Sequence, residues 1–277
     1  MSCLTNQKPV TVPWVRSQKR HQKMTMLTAY DYPTAVILDE AGIDILLVGD
    51  SLAMVLYGEP NTLSVTLDDM LRHTLAVSRG AKRAMVIGDM PFMSYQVNTE
   101  QALLHAGRFL KEARAQGVKL EGGLEYASTV QALTRAGIPV IGHIGLTPQS
   151  IHAIGSYRMH GKMEKERTYL LESAQALAEA GAFSIVLECV EKDLAHEITE
   201  KIEIPTFGIG ASPNCDGQVL VTQDLVGLSI ERIPKFVHPI TSLKEPFRQA
   251  ILDYIERTRQ APETGPLETR GEIVASP

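Results

Sequence analysis

Asp50 and Asp89 each stand directly after a glycine that closes an apolar run: Val48, Gly49, Asp50, Ser51 in one place and Ile87, Gly88, Asp89 in the other. Such a run reads as a buried strand, and a carboxylate pair delivered by two neighbouring strand ends suits a hard divalent cation with oxygen ligands. Taken alone, either aspartate serves as well as the cap of whatever follows its strand. A cap needs no partner and a cation does, so the pair says more than its parts. Further along, Lys119 and Glu121 sit two apart, with Val118 and Leu120 on the alternate positions. Period two puts both charges on one face, and burial against a helix layer would be costly, so that face points into a barrel lumen. The plainer alternative is a buried pair whose only role is mutual neutralisation. His143 ends another apolar run and alone reads equally as a satisfied core histidine. Glu188 closes the run from Ser184 to Leu187, where loss of solvation suits a general base or acid. Its alternative is a helix cap near Glu191, and Cys189 beside it reads as a small buried hydrophobe.

These residues need elements to carry them, and one punctuation recurs. Ala41-Gly42 precedes IDILLVG, Gln116-Gly117 precedes VKLEG, Ala136-Gly137 precedes IPVIGH and Ala180-Gly181 precedes AFSIVLE. Glycine just past a helix supplies a left-handed cap, and strands apolar on both faces are those of a parallel sheet covered by helices. The pattern predicts eight strands, at 24–29, 43–49, 84–88, 117–121, 138–142, 184–188, 204–209 and 224–228. Between them, Leu103, Ala106, Phe109 and Leu110, or Leu170, Ala174, Leu177 and Ala178, recur at helical steps. Eight alternating units favour a single (β/α)8 TIM barrel over an open doubly wound sheet. The seventh and eighth strands are short and carry glycine. Two connections exceed what a helix needs, 52–66 and 147–162, the lengths of substrate lids or interface segments. The expected division is an N-terminal arm or cap over 1–22, a catalytic barrel over 23–258 and a disordered tail over 259–277.

A formal net charge of −5 over 277 residues offers no basic footprint for nucleic acid or an anionic membrane. Cys3, Cys189 and Cys215 lack the spacing of a zinc site or disulfide framework. No apolar stretch approaches the roughly 20 residues of a membrane span, and no run of signal-peptide length opens the chain. The expectation is a cytoplasmic enzyme of small molecules, without nucleic acid or membrane partners. Gly208-Ile209-Gly210-Ala211 lacks both a full dinucleotide fingerprint and a Walker lysine, and reads as a close-approach turn.

The stretches TAYDYPTA, GIDILLVGDSLAMVLYG, GDMPFMSYQ, VKLEGG, GHIGLTPQS, VLECV, FGIGA and CDGQVLV, in this order over about residues 20–255, resemble the ketopantoate hydroxymethyltransferase family. The resemblance implies a barrel of the phosphoenolpyruvate/pyruvate type. It also implies hydroxymethyl transfer from 5,10-methylenetetrahydrofolate to the keto acid 3-methyl-2-oxobutanoate through a Mg-stabilised enolate, giving 2-dehydropantoate in pantothenate biosynthesis. Carried over by motif, Asp50 and Asp89 are Mg2+ ligands, with Glu121 a third acidic group of the metal site acting through water. Asp50, Ser51, Asp89, Lys119 and His143 bind the keto acid, and Glu188 is the proton acceptor. The family's assembly implies a homodecamer of the pentamer-of-dimers type. GSYRMHGK at 155–162 departs from the family's lysine–valine–glutamine–glycine run, and the tail lacks its acidic-histidine ending. Two other classes compete with this reading: a carbon–carbon lyase of the isocitrate or methylisocitrate kind, whose cysteine loop motif is absent, and a non-catalytic barrel, which would tolerate loss of the rim charges.

Overall fold

The computed structural model describes residues 8–230 and 233–260. They fall into two compact units, one ending at Thr222 and the other beginning at Gln223.

In the first unit eight parallel strands close into a barrel in sequence order: β1 Met24–Thr28, β2 Ile45–Val48, β3 Met85–Asp89, β4 Gly117–Glu121, β5 Val140–Gly145, β6 Ser184–Glu188, β7 Thr206–Ile209 and β8 Gly217–Leu220, with β8 pairing back to β1. Its helices are α1 Val12–Ser17, α2 Tyr32–Ala41, α3 Leu52–Val55, α4 Leu67–Gly80, α5 Thr99–Lys111, α6 Ala127–Arg135, α7 Ile151–Ile154, α8 Glu164–Glu179 and α9 Lys192–Lys201, and α10 Thr222–Leu225 begins at its last residue. The (β/α)8 expectation holds. The long connections carry the short helices α3 and α7 at the carboxyl rim.

Local chemistry sets the element limits. Asp31 caps α2 by accepting the Thr34 N–H at 2.8 Å, and the helix stops at Gly42 with φ 91°. Thr66 and Asp69 form a reciprocal capping box at the start of α4. Gly137 and Gly181 take φ of 83° and 96°, the left-handed caps their spacing predicts. Gly117 does not: the left-handed residue before β4 is Arg114, φ 59°. Gly117 is needed because a Cβ there would lie 2.9 Å from the Pro139 carbonyl oxygen.

The eighth strand differs from expectation. It lies at Gly217–Leu220, and the expected 224–228 instead begins inside α10. A short strand containing Gly217 and the outward, exposed Gln218 shows no apolar run to read. Gly217 is required by packing, since a Cβ would sit 2.4 Å from the Phe207 ring of β7. No helix separates β7 from β8. Their connection turns on buried Asp216, which accepts from Thr206 N–H at 2.9 Å, Arg20 N–H at 2.9 Å and Lys19 Nζ at 2.9 Å.

The segment before β1 docks on the barrel. Val10 and Val15 join Met24, Met26, Ile45, Met85, Ile87 and Phe207 in one buried cluster. Strand parity extends that cluster toward the rim: Met85 and Ile87 lead to Asp89, Ile141 to His143 and Val186 to Glu188. The alternation that fills the barrel floor with apolar groups therefore delivers polar ones at its mouth.

In the second unit α11, Lys244–Gln260, buries no residue and leaves Phe247, Ile251 and Tyr254 exposed. Backbone bonds Ile240 N to Leu225 O and Leu243 N to Val226 O, both 2.9 Å, tie 225–226 to the approach of this helix. Of the expected tail, residues 259 and 260 close α11 and the remainder lies outside the described residues.

Candidate active site

Asp50 lies one turn position beyond β2, where Gly49 leaves room: a Cβ there would meet Ser51 Oγ at 2.8 Å. Neither aspartate is a helix cap. The Asp50 backbone N–H donates to Asp89 Oδ2 at 3.2 Å, and Asp50 Oδ2 accepts from Gln149 Nε2 at 2.9 Å. Across β3 and β4, Asp89 pairs in register with Lys119, and Lys119 Nζ stands 2.7 Å from Asp89 Oδ1. The angle of that ion pair leaves Asp89 Oδ1, a buried oxygen, short of a directed hydrogen bond. Glu121 pairs in register with His143, and its Oε1 lies 3.5 Å from His143 Nδ1 and 3.9 Å from Lys119 Nζ. Its Oε2 accepts the Gln149 backbone N–H at 3.0 Å. His143 then spans the rim: Nδ1 is 3.2 Å from Lys119 Nζ, and Nε2 is 3.3 Å from Glu188 Oε2. Ser51 Oγ is 2.8 Å from Tyr30 OH.

Asp50, Asp89, Lys119, Glu121 and His143 are each at most 4% exposed. Burial, then the charges of Asp89 and Glu121, holds the Asp50 carboxyl well above the usual range. Burial also raises Asp89, with Glu121 adding to it against the pull of Lys119. For Glu121 burial acts upward too, but hydrogen bonding and charge from His143, with Lys119, outweigh it and leave the carboxyl below its ordinary value. Burial opposes the Lys119 charge, yet Asp89, Glu121 and Asp50 together raise it. Burial and Lys119 oppose protonation of His143, but its bonds to Glu121 and Glu188 prevail and push it up to about 9.

The donor set fits a cation that keeps part of its water shell. Two hard carboxylates meet at the rim, one has an oxygen without a directed partner, and both are raised by burial first and then by neighbouring carboxylates, a charge that a divalent cation would offset. Among the described residues no group of three or more His, Cys, Asp and Glu side chains is arranged to hold a metal ion, so the protein ligands are at most the pair. Glu121, with both oxygens facing protein donors, stands behind the pair.

The six residues Asp50, Asp89, Lys119, Glu121, His143 and Glu188 thus form one chain of contacts, and Ser51 directly follows Asp50, its hydroxyl bonded to Tyr30. Sequence reasoning passed over Gln149 and Tyr95. Buried Gln149 touches Asp50, Glu121 and the Met90 carbonyl, to which its Nε2 donates at 2.9 Å. Tyr95 accepts the Glu121 N–H at 3.1 Å, lies 2.9 Å from the Glu121 carbonyl oxygen and 2.9 Å from Gln149 Oε1. Both lie in GHIGLTPQS and GDMPFMSYQ, and their place in loops after rim-ending strands was the available signal. A cleft of about 140 Å3, lined by Phe92, Tyr95, Gln96, Glu121 and Tyr126 among others, opens beside them. Cys189 is buried, and burial with the Glu188 charge pushes its thiol up to about 12, so it offers no thiolate.

Solved structures share the barrel. A 2,3-dimethylmalate lyase of the PEP mutase/isocitrate lyase superfamily superposes with a TM-score of 0.60 at 16% identity, over 94% of this chain and 91% of that one. A phosphonopyruvate hydrolase, solved with oxalate and Mg++, gives 0.60 at 13% identity over 90% and 87%. These likenesses show the fold alone, a closed (β/α)8 barrel. Sequence relatives are far nearer. The 3-methyl-2-oxobutanoate hydroxymethyltransferase of Syntrophobacter fumaroxidans is 55% identical over 93% of this chain and 91% of its own. Those of Carboxydothermus hydrogenoformans and Pyrobaculum islandicum are 54% and 56% identical, covering 91% and 84% of this chain and 91% and 89% of theirs. The family model for ketopantoate hydroxymethyltransferase matches residues 9–263. With a barrel rim of this composition and relatives of one name along almost its whole length, the chain is an enzyme and belongs to the ketopantoate hydroxymethyltransferase family.

Proposed function

We propose that the hydroxymethyl group comes from 5,10-methylenetetrahydrofolate and is added to 3-methyl-2-oxobutanoate, giving 2-dehydropantoate, through an enolate of the keto acid. The carrying observation is the contact chain from Asp50 through Asp89, Lys119 and His143 to Glu188, which puts an acidic ligand pair, a cation and a free-standing carboxylate around one lumen. Asp50 and Asp89 would hold Mg2+, with Glu121 acting through water, and the bound ion would supply Lewis-acid polarisation of the 2-oxo group. Lys119 offsets the substrate carboxylate as a point cation. Ser51, oriented by Tyr30, hydrogen-bonds the keto acid, and His143 lines the pocket at the reacting carbon.

The barrier is the acidity of a tertiary carbon beyond the ketone. Glu188 takes that proton, its carboxylate standing 3.3 Å from the His143 imidazole. The carbon then bonds to the methylene carbon of the folate as one of the two carbon–nitrogen bonds of that methylene breaks, and water displaces the second nitrogen to leave the hydroxyl, the substrate proton and one proton of the water ending on the two nitrogens of tetrahydrofolate. The barrel acts within residues 23–258, in the cytoplasm and as a homodecamer.

The test is methylenetetrahydrofolate-dependent consumption of 3-methyl-2-oxobutanoate with and without EDTA. Turnover lost with EDTA and restored by Mg2+ is the expected result. EDTA-insensitive turnover overturns the metal role, and consumption that ignores the folate overturns the donor.

A further inference from the structure

The backbone immediately after Glu188 is held in an unusual way. Cys189 takes φ 49°, the left-handed region that a residue with a Cβ adopts only when its surroundings over-determine it. From one side the Ile209 carbonyl accepts the Cys189 N–H at 2.9 Å. From the other, His160 N–H donates to the Cys189 carbonyl at 2.7 Å and Glu191 N–H donates to the His160 carbonyl at 2.9 Å, so that His160 pairs with Val190 as an added parallel rung on β6. Leu146 N–H holds the Glu188 carbonyl itself at 2.8 Å. The loop 155–162, where this chain departs from its family, is therefore part of the support of Glu188.

What fixes that loop is one carboxylate. Glu166, on the first turn of α8, has its Oε1 2.9 Å from His160 Nδ1 and 3.0 Å from Arg158 Nη2, and its Oε2 accepts the Gly161 N–H at 2.7 Å. His160 is 7% exposed, and its Nε2 has no hydrogen-bond partner. Its fixed side is thus Nδ1, whose N–H donates to Glu166 in the neutral ring. Gly155 and Gly161, φ 80° and 90°, bracket the segment. The phenol of Tyr157, between them, is raised by burial and then by the charges of Glu188, Asp50 and Glu121.

We propose that Glu166 and His160 are positioning residues that act as one latch, pinning the loop 155–162 onto the backbone of 189–191 so that Glu188 stays aimed at the substrate carbon. Neither touches the reacting atoms. The inference rests on Glu188 being the base.

The test compares Glu166→Ala, His160→Ala, the double variant and His160→Asn, whose amide keeps a donor where Nδ1 stands. Each Ala variant is expected to lower kcat and the rate of deuterium exchange at the tertiary carbon together by about 10- to 100-fold, because a small misplacement of a catalytic group has that effect. KM for the keto acid stays unchanged. The double variant falls no further than either single one, and His160→Asn recovers most of the rate. The amide protons of His160 and Glu191 lose protection against hydrogen exchange in Glu166→Ala. A Glu166→Ala enzyme with unchanged kcat, or one that loses only thermal stability, overturns the latch. A Glu188→Gln enzyme that exchanges deuterium at the wild-type rate overturns Glu188 as base instead, while amide protection still reports on the latch.

Discussion

At the residue scale, the functional weight falls on groups whose burial would be costly without their partners. Glu188→Gln keeps the shape of the base and removes its proton affinity. Deuterium exchange at the tertiary carbon, followed by NMR, is expected to fall by about 10²- to 10⁴-fold, with metal-dependent keto-acid binding retained. Exchange at the wild-type rate would remove Glu188 from the role. Gln149 makes a different prediction, because it joins Asp50 Oδ2 to Glu121 Oε2 by two separate donors. Gln149→Ala is expected to raise the Mg2+ concentration for half-maximal turnover by about 10- to 100-fold, the usual effect of losing a group that orients a ligand. An unchanged Mg2+ titration would detach it from the metal pair. Lys119 and Glu121 were legible from their spacing alone, since alternation against Val118 and Leu120 leaves them one face. Gln149 was not, because nothing in a loop sequence tells which strand end its amide will reach.

Single local rules govern the elements where they are strong. The capping box at α4 is one: removing its hydroxyl in Thr66→Ala is expected to cost about 1 kcal/mol, read as a lower Tm. Hydrogen bonding from Thr66 is the chief reason Asp69 is held below the ordinary aspartate range, and a depressed carboxylate contributes stability above its unfolded value of 3.8 that is lost as pH falls through its folded one. The Tm gap between wild type and Thr66→Ala should therefore narrow in acid; a gap constant down to that pH range would refute the box's charge component. Tertiary contact rather than local rule governs β8. Gly217→Ala must displace the Phe207 ring, at an expected cost of about 1–3 kcal/mol by overpacking, measured by thermal unfolding. A neutral result would mean that the β7–β8 contact is slack. The periodicity that revealed β2 to β6 could not reveal β8, because a strand made of a glycine forced by its neighbour, an outward glutamine and two apolar residues has no pattern of its own.

For the whole molecule, no helix among the described residues is long and apolar enough to cross a membrane. The exposed Phe247, Ile251 and Tyr254 of α11 accord with association between chains, and light scattering on the purified protein is expected to give the mass of ten chains. A monomeric mass would overturn the decamer. By itself the sequence determined the repeating helix-to-strand order, the lumen-facing Lys119 and Glu121, and the strand ends carrying Asp50, Asp89 and Glu188, while His143 lies inside β5, which runs on to Gly145. Those follow from periodicity and burial, which act over a few residues. Only the tertiary structure decided that Asp50 and Asp89 bond to each other, that His143 bridges Glu121 and Glu188, that β8 lies at 217–220, and that His160 pairs with the chain after Glu188. Each of these pairs residues far apart along the chain, and closure of the barrel, not any local preference, sets which ones meet.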